Sequence, residues 1–297
     1  MNDKKLVLLD GAVGTGLWAK TDNKVAVWRY NLEDPRIVQE LHQEYLDAGA
    51  QIILANTFGA NRMALRGTDY TVEEIVSAGV RLARETLAGR AETALSIGPL
   101  PVLLEPYGDL SEEEAYELFD QQISAGAAEK PDHIFLQTFM DLRMLQIAAR
   151  AAVRHGIPVS AMMTFTEVGK TMMGNSVQDF VEGMREFPLT AVGLNCSLGP
   201  ERAVPVIAAF RQYTDLPLMF KPNAGKPISQ GDGTTVEYAA LNDHGYEPAR
   251  AGRGCDLHRR LLRQRCVLHP GAARTSAPAG VRRVTRPGGD GIEKSDE

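Results

Sequence analysis

The sequence predicts an α/β chain wound as a TIM (β/α)8 barrel whose eighth unit is missing or irregular. Three observations carry this. A short β-rich apolar run, a polar turn and an amphipathic helical stretch recur seven times over residues 5–228. Strands alternating with helices give a parallel sheet, and seven such strands are one short of the closed eight-strand barrel. Polar residues gather at the C-terminal tips of the runs, where barrel enzymes build their sites.

The strand candidates, in order, are LVLLD (6–10), IILANT (52–57), ETALSIG (92–98), HIFLQT (133–138), VSAMMTF (159–165), AVGLNC (191–196) and PLMFKP (217–222). In the first clear helix, Val38, Leu41, Tyr45 and Leu46 recur at helical spacing and Gly49 marks a stop. Ser111 followed by Glu114 is a capping-box pattern, and the acids beside it suit a helix N-terminus. Gly199–Pro200 opens a further helix just after the sixth strand. After about residue 230 the rhythm stops. Residues 250–286 hold ten arginines and no lysine, among abundant Gly, Pro and Ala. The chain therefore divides into a barrel over 1–230 and a divergent, Arg-rich segment over 231–297, expected to be poorly ordered.

Composition narrows the function classes. The chain is 44% apolar and 24% charged, with a net charge of −6, so no global basic field recruits nucleic acid. No apolar window is long enough to span a membrane. The basic start MNDKK leads into an apolar run broken by Asp10, which reads as a first strand and not a secretory signal. Three cysteines in 297 residues are not a disulfide framework, and a reducing cytoplasm is expected.

Three segments carry chemistry. In GLNCSLGP (193–200), Cys196 ends a strand just before a helix start, a place that favours a thiolate for metal binding or attack; a small buried cysteine in tight packing is the competing reading. LDGAVGTG (9–16) is a strand followed by a glycine-rich turn whose amides can hold a carboxylate or phosphate, although its spacing is not the dinucleotide fingerprint. NTFGANR (56–62) sets Asn56 and Thr57 at a strand end, either to orient a small substrate or to cap the loop, with Arg62 six residues on.

Taken in order, LLDGAVGT, EYLDAGAQIILANTFGANR, SIGP, LQTFMDL, MTF, GLNCSLGP and KPNAGKP resemble the homocysteine S-methyltransferase family over residues 6–228. The resemblance implies a barrel that binds homocysteine and moves a methyl group to its thiol, forming methionine. It implies Zn²⁺ held by three cysteines, the substrate sulfur being the fourth ligand. Carried over by position, Cys196 is the first zinc ligand and the catalytic residue. The turn of Asp10, Gly11, Ala12, Gly14 and Thr15 holds the amino-acid part of homocysteine, and Asn56, Thr57, Gln137, Thr138 and Asn195 line the pocket. The donor it implies is methylcobalamin on a separate partner, because Asp256-x-His258 lacks the glycine that the corrinoid signature requires.

The sequence departs from the family in three places. Gln137 stands where the family has a glutamate facing the substrate ammonium, and Gly16 where it often has glutamate. No adjacent cysteine pair occurs, so two of the three zinc ligands are absent and activity is expected to be impaired. Arg259–Arg263 (RRLLR) can be encoded so that a one-nucleotide shift reads Gly-Gly-Cys-Cys-Gly, the family's missing segment. A frame shift between about 230 and 250 would thus account for the arginines. Two other readings of the tail compete: Cys255-x2-His258 with Cys266-x2-His269 as a small zinc site, and an arginine-rich nucleic-acid binder. A barrel that binds a small molecule without catalysis is the reading from another class. The methionines of MMTF…TMMG (162–174) are expected to fill core.

Overall fold

The computed structural model describes residues 6–22 and 25–223, and beyond them the backbone of four short strands. Seven parallel strands follow one another around a barrel: β1 (Val7–Leu9), β2 (Ile52–Leu54), β3 (Glu92–Ile97), β4 (His133–Phe139), β5 (Val159–Met163), β6 (Leu189–Asn195) and β7 (Leu218–Lys221). Each lies inside, or overlaps, one of the seven apolar runs. The helices α1 (Val13–Trp18), α2 (Tyr30–Glu33), α3 (Pro35–Asp47), α4 (Val72–Leu87), α5 (Glu112–Ala128), α6 (Leu142–Val153), α7 (Val177–Gly183) and α8 (Pro200–Phe210) intervene.

Three strands beyond β7 were not legible as such: β8 (Pro227–Ser229), β9 (Val236–Asn242) and β10 (Gly245–Pro248) form a separate antiparallel sheet. The ring is closed by β11 (Cys266–Leu268), which runs antiparallel between β1 and β7, with Cys266 abreast of Leu9 and Val267 abreast of Phe220. The eighth stave is thus irregular: a three-residue strand of reversed direction stands where an eighth parallel strand was expected. The remaining tail residues singled out in the sequence, Cys255, His258, His269 and the ten arginines, lie outside the described residues.

Strand alternation divides the core in two. One face of each strand points into the lumen, where Leu9, Ile52, Leu54, Ala94, Phe135, Met162, Ala191 and Met219 form a plug. The other face meets the helices in a larger layer that includes Leu95, Phe119, Ile134, Phe139, Leu145 and Phe180. Each fully buried aliphatic or aromatic side chain contributes about 1.5–3 kcal/mol. Gly193 shows how tightly β6 and β7 meet: a Cβ there would stand 1.9 Å from the Met219 carbonyl oxygen.

Helix starts follow local chemistry. Thr71 and Glu74 form a full capping box on α4, as Ser176 and Asp179 do on α7. The box expected at Ser111 is half formed: its hydroxyl accepts from Glu114 N at 3.1 Å, while α5 gains no reciprocal bond. Gly49 (φ 91°) follows the end of α3 as expected. The methionine expectation splits. Met162 and Met163 are fully buried, but Met172 and Met173 sit on the loop after β5, 72% and 38% exposed. The polar loop backbone that they ride on cannot enter the core without losing its partners.

Candidate active site

The plug sets a floor, and the strand tips rise above it. At the tip of β6, Asn195 is buried and Cys196 half-buried. Asn195 ties three strand tips together through its side-chain amide and its backbone carbonyl. Its Oδ1 accepts from Thr138 N at 2.8 Å, and its Nδ2 donates to Thr138 Oγ1 at 2.7 Å and to Cys196 Sγ at 3.2 Å. Its carbonyl accepts from Thr164 Oγ1 at 3.0 Å. Thr138 Oγ1 lies 3.7 Å from Cys196 Sγ. The sulfur therefore faces two polar groups that can stabilise negative charge on it.

The backbone here is strained. Thr138 (φ 67°), Cys196 (φ 59°) and Ser197 (φ 64°) occupy the left-handed region. Such conformations cost of order 1–3 kcal/mol each and persist where surrounding structure over-determines them. A register shift in β4 between Leu136 and Phe139 supplies the bulge that turns Thr138 toward Asn195. The Cys196 amide donates to the Lys221 carbonyl at 3.0 Å, and Ser197 Oγ donates to the Phe165 carbonyl at 2.9 Å.

Across the mouth, Asp10 is fully buried at the tip of β1. Its Oδ2 accepts from Leu54 N at 2.9 Å and its Oδ1 from Lys221 Nζ at 2.7 Å. The glycine-rich turn follows directly: Ala12 precedes α1, Gly14 has open space where a Cβ would be, and Thr15 is exposed. Gly16 packs against α3, where an added Cβ would meet Leu41 Cδ1 at 3.0 Å and Tyr45 Oη at 3.4 Å.

The other predicted residues divide. Gln137 donates from Nε2 to Ser96 Oγ at 2.7 Å, on the floor of the mouth. Asn56 turns away: its amide donates to Val27 O at 2.7 Å and Asn31 Oδ1 at 2.8 Å. Thr57 Oγ1 bonds the Ser96 backbone, donating to its carbonyl at 2.8 Å and accepting from its amide at 3.1 Å. Both are buried ties between loops and strands. Arg62 lies at the exposed rim, 3.9 Å from Glu117. Lys221 was inside a quoted motif, but nothing in the sequence singled it out; the signal was its place two residues after the lumen residue Met219.

Among the described residues, no set of three His, Cys, Asp or Glu side chains is close enough to hold a metal ion, and no helix is long and apolar enough to cross a membrane. A groove of about 550 Å³ lies on the outer flank, lined by Glu112, Arg143, Arg150 and Phe187 among others, and by none of the mouth residues.

Comparison with known proteins matches this chain to the family model for homocysteine S-methyltransferase over residues 7–257. It is 28% identical to methionine synthase of Mycobacterium tuberculosis over 96% of its length, and 26% identical to that of Mycobacterium leprae over 84%. It spans about a quarter of the first relative's length (25%) and 21% of the second's. Among solved structures it is similar to the homocysteine methyltransferase MmuM from Escherichia coli. The metallated form has a TM-score of 0.68 and 22% identity, covering 75% of this chain and 85% of that one. That likeness concerns the fold. The family match covers most of the chain and includes the strand tips just described, and this protein belongs to the homocysteine S-methyltransferase family.

Proposed function

We propose that the mouth of the barrel binds homocysteine beside Cys196, and that the lineage reaction is methyl transfer to the homocysteine sulfur, with a methylated corrinoid on a separate partner as donor. The observation that carries this is the cluster at the β6 tip: a half-buried thiol that accepts from Asn195 and faces Thr138, on strained backbone. Under this reading the turn at Gly11–Thr15 meets the amino-acid end of the substrate through backbone amides, and Gln137, Thr138 and Asn195 line the sulfur side. Asn56 and Thr57 hold the β2 tip in place rather than touch the ligand.

Zinc is the metal implied by the family, and its chemistry would be to keep the substrate sulfur as a thiolate near neutral pH. The described residues do not fit it. Among the described side chains Cys196 is the one thiol, and the sequence holds no adjacent cysteine pair. We therefore read this chain as impaired in zinc-dependent transfer, with a shifted reading frame upstream of Arg259 as the reading of its tail.

The purified chain tests this. Expected are substoichiometric zinc, homocysteine binding by isothermal titration that Cys196→Ser weakens, and no turnover with methylcobalamin. Stoichiometric zinc with turnover overturns the impairment; failure to bind homocysteine overturns the site. A second reading, a binding barrel without catalysis, is favoured by the neutral Gln137 amide committed to Ser96. Binding that ignores added zinc supports it. Resequencing the coding DNA over residues 230–264 tests the frame: no cysteine codons in the alternative frame would end that idea.

A further inference from the structure

The groove on the outer flank exists because neighbouring helices differ in length. α6 has twelve residues and α7 seven, so α7 is about 7–8 Å shorter at 1.5 Å per residue. Past Gly183, whose carbonyl accepts from Gln146 Nε2 at 2.8 Å, the chain turns to Phe187–Pro188, and the proline keeps its predecessor out of a further helical turn. The second half of α6 is left open on that side. Ile147 and Val153 of α6, with Phe187 opposite, give the groove an apolar lining. Two charges share it. Arg150 lies over the Tyr116 ring at 5.1 Å, and neither Arg150 nor Glu186 forms an ion pair among the described residues.

At the mouth end of the groove an aromatic side chain projects. Tyr107 is 73% exposed, on the loop between β3 and α5. The turn that carries it is held firmly. Leu104 and Leu110 are buried beneath it, Tyr107 N donates to the Leu104 carbonyl at 3.0 Å, and Glu105 N donates to the Leu110 carbonyl at 3.0 Å. Arg143, which lines the groove, ties the turn to it by donating to the Glu105 carbonyl at 3.0 Å. A projecting ring and an apolar groove therefore lie side by side on one surface.

Such a surface is self-complementary under a two-fold axis. In an isologous contact residue i meets j and j meets i, so knob and groove must be neighbours on the same patch. The free cation and the free anion obey the same rule. An aromatic ring seated in a pocket carries much of an interface's energy, and a ring on a fixed turn loses little freedom on docking.

We propose that this flank joins two copies of the chain: Tyr107 of each enters the groove of the other, and Arg150 of each meets Glu186 of the other. The groove shares no residue with the mouth, so pairing leaves the acceptor reading untouched.

Sedimentation velocity on the full chain tests it, from about 0.1 to 100 μM, a range that reaches weak interfaces of ordinary size. The expected mass rises from one chain to two. Tyr107→Glu should weaken the dimer at least about tenfold, and Tyr107→Phe by no more than about threefold. Arg150→Glu and Glu186→Arg should each weaken it about fivefold, because symmetry counts every change twice. The double variant Arg150→Glu with Glu186→Arg restores opposite charges and should return to within about threefold of the parent. All three side chains are exposed, so these variants should keep the parent's far-UV circular dichroism. A chain that stays single over the whole range overturns the proposal and leaves the groove to a different occupant. A dimer indifferent to Tyr107→Glu overturns it too, as does a double variant that pairs no better than the single ones.

Discussion

Two corners of the barrel mouth carry the same kinds of side chain and use them differently. At the β2 tip, Asn56 and Thr57 spend their polar atoms on Val27, Asn31 and Ser96 and are sealed from solvent. At the β6 tip, Asn195 spends its amide on Thr138 and on the Cys196 sulfur, which stays half-buried. Strained backbone sits at the second corner and at Thr138 opposite it, and at neither Asn56 nor Thr57. The lesson is that an amide–hydroxyl pair at a strand tip says nothing about chemistry until its partners are known.

The largest expected effect belongs to the β2 side. Behind Leu54, His42 is fully buried in α3, and desolvation holds its pKa down to about 4 from an ordinary 6.5, the Leu54 backbone opposing slightly. The unfolded chain therefore takes up this proton first. Stability from this group is complete above pH 6.5 and is lost as the pH falls toward 4, by roughly 3 kcal/mol in all at about 1.4 kcal/mol per unit. Denaturation midpoints measured from pH 7 to 4 should show that slope, and His42→Met should flatten it. An unchanged slope in the variant would remove His42 from the account.

Next comes Asn56→Ala, which leaves Asn31 Oδ1 and the Val27 carbonyl without their donor and should cost about 2–3 kcal/mol by chemical denaturation. Alkylation of Cys196 by iodoacetamide should stay as in the parent. Asn195→Ala should cost less, about 1–2 kcal/mol, yet change that alkylation rate several-fold, because the sulfur loses its donor. If Asn56→Ala moved the thiol rate and Asn195→Ala did not, the contrast between the corners would be broken. The smallest effect separates ordinary strain from site strain. Ala88, at the C-terminal cap of α4 with φ 47°, should gain about 0.5–1 kcal/mol as glycine. Thr138→Gly relieves the same kind of strain but removes the hydroxyl beside Cys196, so only it should alter alkylation.

The barrel was legible because each βα unit repeats a local pattern: Val38, Leu41 and Tyr45 are buried on α3, as their spacing requires. The tip of β6 was legible because Asn195, Cys196 and the Gly199–Pro200 helix start are contiguous. Lys221 was not, since its partner Asp10 lies 211 residues away. Nor was the fate of Asn56, whose partners Asn31 and Val27 precede it by 25 and 29 residues.

Sequence alone determined the order of strands, the parallel winding and the place of Cys196 on the mouth, because periodicity and strand-end chemistry act over a few residues. Tertiary structure alone decided which polar tips are spent on packing and which face the mouth. It also decided that a reversed strand at Cys266–Leu268 closes the ring between β1 and β7. The physical reason is range. A hydrogen bond or ion pair across the barrel joins residues that no local pattern relates, and direction of closure is set by the neighbours on both sides.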